Sequence, residues 1–145
     1  MENRIDIHQL EPGAYKGMFA LENYLQNSLL SKTHYYLILI RASQINGCAF
    51  CINKHTADAL DHGETNQRIF LLDAWRETDL YTEEERIILE MTEEITLIHE
   101  SGLQDSTYDR AKQLFNDHYI AQIIMAVVTI NAWNRIAIST QKKLQ

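Results

Sequence analysis

The chain has 145 residues, 46% of them hydrophobic, and a formal charge of −7 from 13 basic and 20 acidic side chains. That length fits one domain with its own core, so folding needs neither a disulfide staple nor a structural metal. The acidic balance argues against a phosphate-tracking nucleic-acid binder, and no continuous apolar run reaches the roughly 18 residues of a membrane helix.

The opening MENRIDIHQL has no basic stretch followed by an apolar segment, so a secretory signal is not expected and the cytoplasm is the default location. Residues 1–12 read as an irregular lead-in ending at Pro12, the single proline. From Ala14 to about Ser28 the pattern is helical, with Met18, Leu21, Leu25 and Leu29 on one side. Lys32 to Asn46 contains YYLILI, a strand by propensity. The apolar pattern continues into Ala42 and Ile45, which favours a buried helix. Gly47 breaks that element, and a new helix is expected from about Cys48 to His62, with Gly63 at its end.

A short helix over Glu64 to Ala74 comes next. Thr82 and Glu85 then form a capping box that opens a helix to about His99. Asp105 or Ser106 is expected to cap the following helix, which runs to about Asn116. The last helix, about Asp117 to Gln141, carries Ile120, Ile124, Val127, Val128 and Ile138 as its apolar stripe. The fold class is therefore all-α, a single-domain helical bundle.

The chemistry concentrates in NGCAFCINKH. With Cys48 at a helix start, Cys51 and His55 follow at spacings of three and four, and all three share one face. A thiol at a helix N-terminus gains from the dipole and the free amides. His55 can act as base for Cys51 or stabilise its thiolate as imidazolium. Two thiols at this spacing can close a disulfide, the minimal equipment for peroxide reduction or thiol–disulfide exchange. A closed zinc site would need a fourth ligand, and there is no second cysteine pair. Covalent haem attachment would need histidine directly after the second cysteine, where Ile52 stands. A thioredoxin fold would need alternating strands. Two buried cysteines without a role are the plainer alternative. No metal or cofactor is expected.

The run RASQINGCAFCINKHTADAL resembles the core motif of the carboxymuconolactone decarboxylase-like proteins, specifically the AhpD-like alkylhydroperoxidase branch. The similarity extends through GETNQRIFLLDAWRET and ERIILEMTEEITLI into INAWNRIAIS, most of residues 15–140. The resemblance implies an all-α domain assembling into homotrimers or homohexamers. It implies reduction of a small-molecule peroxide, with a dithiol or thiol protein as reductant and neither nucleic acid nor membrane as partner. By motif match Cys51 takes the peroxide-reacting position, Cys48 the resolving and more exposed one, and His55 the proton relay.

The helix dipole by itself favours Cys48 as the more acidic thiol, and the two assignments conflict. The family's glutamate twelve residues before the first cysteine is replaced by Tyr36, so the relay is altered. Glu93 in LEMTEEITL is the expected substitute, on a stripe with Leu89 and Leu97, while Glu90 and Glu94 fall on a more polar side. A helix-surface role is the plainer alternative for Glu93. Asn131 and Asn134 are expected to make structural polar contacts. Trp75 and Trp133 are expected in the core, and His34, His62, His99 and His118 at surfaces or caps. Two rivals to the peroxidase are a non-catalytic oligomeric redox sensor or binding module, and a carboxymuconolactone decarboxylase-type lactone enzyme. The lactone chemistry does not need a cysteine pair.

Overall fold

The computed structural model describes residues 4–144. Among them there are only helices and turns: α1 (Ile7–Leu10), α2 (Pro12–Gln26), α3 (Lys32–Asn46), α4 (Ala49–Asp61), α5 (Asn66–Phe70), a 3₁₀ segment (Leu72–Glu77), α6 (Glu83–Thr96), α7 (Asp105–Leu114) and α8 (Asp117–Ser139). The all-α expectation holds. Residues 1–3 of the expected lead-in lie outside the described residues, and from Ile7 to Leu10 it is helical rather than irregular. Asp6 caps α1 by accepting from the Gln9 amide, and Pro12 opens α2 at a position that has no use for an N–H.

α3 is the hub and packs against α4, α6 and α8. Tyr35 to Ile40 are all buried, which is why the segment reads as a continuous apolar run rather than a stripe. Ser31 caps its start by accepting from the His34 amide, and Gly47 ends it at φ 69°, a left-handed conformation that favours glycine. α8 is long and apolar enough to cross a membrane by length and composition. It packs against α2, α3, α4, α6 and α7, as the core helix of a bundle does.

Three local expectations need correction. In α2 only Tyr15 and Leu25 are buried, and Leu29 lies past the helix end at 70% exposure, because α2 is an outer helix whose main neighbours are α1 and α8. In α8 Ile120 and Val127 are buried but Val128 and Ile138 are exposed; the buried set runs Ile120, Ile123, Ala126, Val127, Thr129, Ile130, Asn134 and Ala137. A helix apolar on most sides does not reveal from its sequence which side a neighbour covers. The N-cap of α7 is Gln104, which makes no side-chain cap bond, with Asp105 in the first turn. The Thr82–Glu85 capping box forms as expected, although α6 stops at Thr96 rather than His99. Elsewhere Glu85 also pairs with Arg68, which Glu64 holds from its other side at 2.8 Å.

Candidate active site

The turn from α3 into α4 places the cysteines. Cys48 is the N-cap of α4, and its Sγ accepts from the Cys51 amide at 3.4 Å. Cys48 and Cys51 are joined by a disulfide, with Cα atoms 5.3 Å apart. The turn is fastened from behind by a buried polar chain. Asn46, two residues before Cys48, donates to both Asn131 and Asn134 at 2.9 Å, and Asn134 donates to Ser43 at 3.0 Å. Asn134 and Ser43 are wholly buried. The asparagines of α8 thus have the expected structural role, and what they hold is the cysteine turn.

A cavity of about 310 Å³ opens over α4. Its walls are aromatic and aliphatic, including Tyr15, Phe19, Tyr35, Leu39, Ile130 and Trp133. Cys51 and His55 line it and Cys48 does not. Both cysteines are nearly inaccessible in the disulfide state, at 1% for Cys48 and 3% for Cys51. Cys48 is therefore not the more exposed thiol in this chain; Phe50 and Ala137 pack around the pair. The cap position favours a thiolate on Cys48 through the helix amides, whereas cavity access belongs to Cys51.

Burial pushes the His55 pKa down to about 4; the Asp58 carboxylate opposes the shift and Lys54 adds to it. In the disulfide form His55 is therefore neutral at pH 7, with a free lone pair and no standing imidazolium charge. Its Nδ1 is buried without a hydrogen-bond partner, the nearest carboxylate being Asp58 at 3.7 Å.

Glu93 is not brought to this site. One of its oxygens accepts from Arg41 Nε at 3.0 Å and Trp75 Nε1 at 3.1 Å, the other from Arg76 Nη1 at 2.6 Å. Among the described residues no bond joins Glu93 to His55 or to either cysteine. The apolar flanks that suggested a proton carrier instead bury a carboxylate that two guanidinium groups hold in place. Glu90 and Glu94 turn to α7, where Thr107 donates to both and Arg110 to Glu90. Tyr36 fills the core, its ring beside those of Tyr35 and His62. His62 caps α4 with Nδ1 2.8 Å from the Asp58 carbonyl, while His34 is partly buried with Nδ1 2.6 Å from the Tyr119 hydroxyl. Trp75 is buried as expected; Trp133 is a wall of the cavity and packs on Tyr15 and Phe19.

Sequence reasoning missed Tyr15, Phe19, Glu22, Tyr35 and Trp133 as cavity residues. The available signal was a second stripe on α2, with Tyr15, Phe19 and Glu22 at i, i+4 and i+7.

Comparison with known proteins agrees with this fold. The carboxymuconolactone decarboxylase family model matches residues 12–94. YdfG of Bacillus subtilis (strain 168), itself uncharacterized, is 41% identical over 139 residues, covering 96% of this chain and 95% of YdfG. A solved Agrobacterium tumefaciens protein, described as an AhpD-type antioxidant defence protein of unknown function, superposes with a TM-score of 0.95 at 39% identity, covering 99% of each chain. The debrominase Bmp8 shares the fold alone, at 15% identity and a TM-score of 0.74 over 91% of this chain and 69% of its own. The chain belongs to the carboxymuconolactone decarboxylase family, with an AhpD-like fold.

Proposed function

We propose that the protein is a cysteine-pair peroxidase that reduces organic or hydrogen peroxides at the expense of a dithiol. The observation that carries this is the cavity, onto which Cys51 opens beside a neutral His55 while its bonded partner Cys48 sits behind it. In the reduced protein His55 takes the Cys51 proton, and the thiolate attacks the outer peroxide oxygen. The O–O bond breaks, Cys51 becomes a sulfenic acid, and the proton passes to the departing alkoxide to give an alcohol. The Cys48 thiol then displaces hydroxide from the sulfenic sulfur, forming the disulfide and releasing water. A dithiol or thiol protein restores both thiols, becoming oxidised itself. The summed reaction is peroxide plus dithiol to alcohol, water and disulfide.

Assembly into homotrimers or homohexamers is carried over from the family resemblance, so light scattering should give a mass of at least three chains. The net charge, the thiol pair and the core packing of α8 support a cytoplasmic protein without nucleic-acid or membrane partners. The direct test of the activity is steady-state peroxide consumption with a dithiol reductant, wild type beside Cys51→Ser. Wild type should turn over and Cys51→Ser should be inactive; equal rates would refute the proposal.

A further inference from the structure

The cavity has two kinds of polar wall. At Cys51 and His55 it carries the proposed chemistry. On its α2 and α3 sides it carries the Glu22 carboxylate and the Tyr35 hydroxyl. Tyr15, Phe19 and Glu22 face the cavity from one side of α2, so at 1.5 Å per residue the apolar wall extends roughly 10 Å before the carboxylate is reached. Among the described residues neither Glu22 nor the Tyr35 hydroxyl has a hydrogen bond or an ion pair.

The cavity's other charged groups are already engaged. Lys54 is 3.3 Å from Asp58, and Lys142 lies over the Phe50 ring at 4.4 Å. His8 is stacked on Tyr15. Burial, then Glu22, Tyr36 and Asp58, push the Tyr35 hydroxyl above its ordinary range, so it stays a phenol and a donor. The charges acting on His55 come from Asp58 and Lys54 of its own helix, not from Glu22. Glu22 therefore belongs with Tyr35 and not with the proton-transfer pair.

We propose that Glu22 and Tyr35 form a specificity subsite that binds a hydrogen-bond-donating group of the substrate, a hydroxyl or a protonated amine, while the apolar body lies against Tyr15, Phe19 and Trp133. A carboxylate at the far end of an apolar chamber, with no protein donor of its own, has a hydrogen bond to gain from a ligand that brings a donor and none from a ligand that lacks one, so the first is preferred. Tyr35 can donate to the same group when it is a hydroxyl. This rests on the cavity being the substrate pocket of the cysteine pair.

The test uses the full-length oxidised protein, which cannot attack peroxide, and product-type alcohols as probes: 2-phenyl-2-propanol and its para-hydroxymethyl and para-aminomethyl derivatives, by calorimetry. Wild type should bind one or both donor-bearing alcohols at least tenfold more tightly than the parent. Glu22→Leu should erase that preference. Glu22→Gln keeps a neutral acceptor, so it should retain most of a preference for the hydroxyl and lose one for the ammonium, which tells the two donor types apart. Equal binding of all three probes to wild type, absence of binding by any, or a preference that survives Glu22→Leu would each overturn the subsite. Because no turnover is involved, a failed peroxide assay contradicts the proposed activity, whereas a missing donor preference contradicts this inference.

Discussion

Two places in the molecule combine a titratable side chain with apolar surroundings, and they differ in what those side chains touch. Around Glu93 the carboxylate is fully answered, with Arg41, Trp75 and Arg76 donating to it and Arg86 lying over the indole ring. Around Cys51 the polar groups of the cavity are left more open: His55 Nδ1 has no hydrogen-bond partner and meets the Asp58 carboxylate only at 3.7 Å, and among the described residues the Glu22 carboxylate and the Tyr35 hydroxyl have neither a hydrogen bond nor an ion pair. A saturated cluster fixes the α3, α6 and 3₁₀ segments to one another and has no capacity left for a substrate. In the open one, the buried His55 Nδ1 carries a cost in stability, and Glu22 and Tyr35 keep capacity for a ligand. The contrast supports a structural role for the first region and the proposed chemistry at the second.

The largest effect that can break this comparison lies in the cysteine pair itself. Cys48→Ser should still consume one equivalent of peroxide, because Cys51 faces the cavity. It should then stop as a sulfenic acid, with steady-state turnover lost at least a hundredfold; trapping with a dione reagent and mass spectrometry would show the adduct on Cys51. If Cys48→Ser were inert and Cys51→Ser accumulated the adduct, the roles would be reversed.

Next comes the cost of the buried imidazole. The His55 pKa lies near 4 in the folded protein and near 6.5 when unfolded, so the unfolded state binds the proton first. Stability tied to His55 is therefore full above pH 6.5 and lost as pH falls toward 4, by about 3 kcal/mol. Denaturant titrations of the oxidised protein at pH 7 and pH 4.5 should show this loss in wild type, and a clearly smaller one in His55→Gln. The smallest effect is at the saturated cluster. Glu93→Gln should lower stability by roughly 2 kcal/mol, since it weakens two guanidinium contacts while leaving the core packed. A wild-type melting curve for that variant would mean the cluster contributes nothing.

Much of the fold was legible in the sequence because its local rules agree. Ser31, Thr65, Thr82 and Asn116 each cap the helix that follows by accepting from its third amide. Gly47 and Gly63 take positive φ at helix ends, and Gly102 does so in the loop between α6 and α7. The CxxC turn and His55 were legible because their spacing alone puts them on one helix face. Glu93 was misread since an apolar stripe reports burial and not the identity of the partner; Arg41 is 52 residues away in sequence. The cavity was invisible for the same reason. Its wall is assembled from α1, α2, α3, α4 and α8, and Trp133 was expected in the core. Cys48 was expected to be more exposed, but its packing depends on Ala137 near the far end of the chain, which no local pattern announces.

The central claim is that proton transfer at the reacting thiol belongs to His55 and not to Glu93. Stopped-flow measurement of the second-order rate at which reduced protein loses its Cys51 thiol to peroxide, at pH 7, tests it in wild type, His55→Gln and Glu93→Gln side by side. The rate should fall about a hundredfold or more in His55→Gln, the loss typical of a missing acid–base group. It should stay within about threefold of wild type in Glu93→Gln, which keeps the cysteine turn and cavity intact. A hundredfold loss in Glu93→Gln beside an unimpaired His55→Gln would contradict the account.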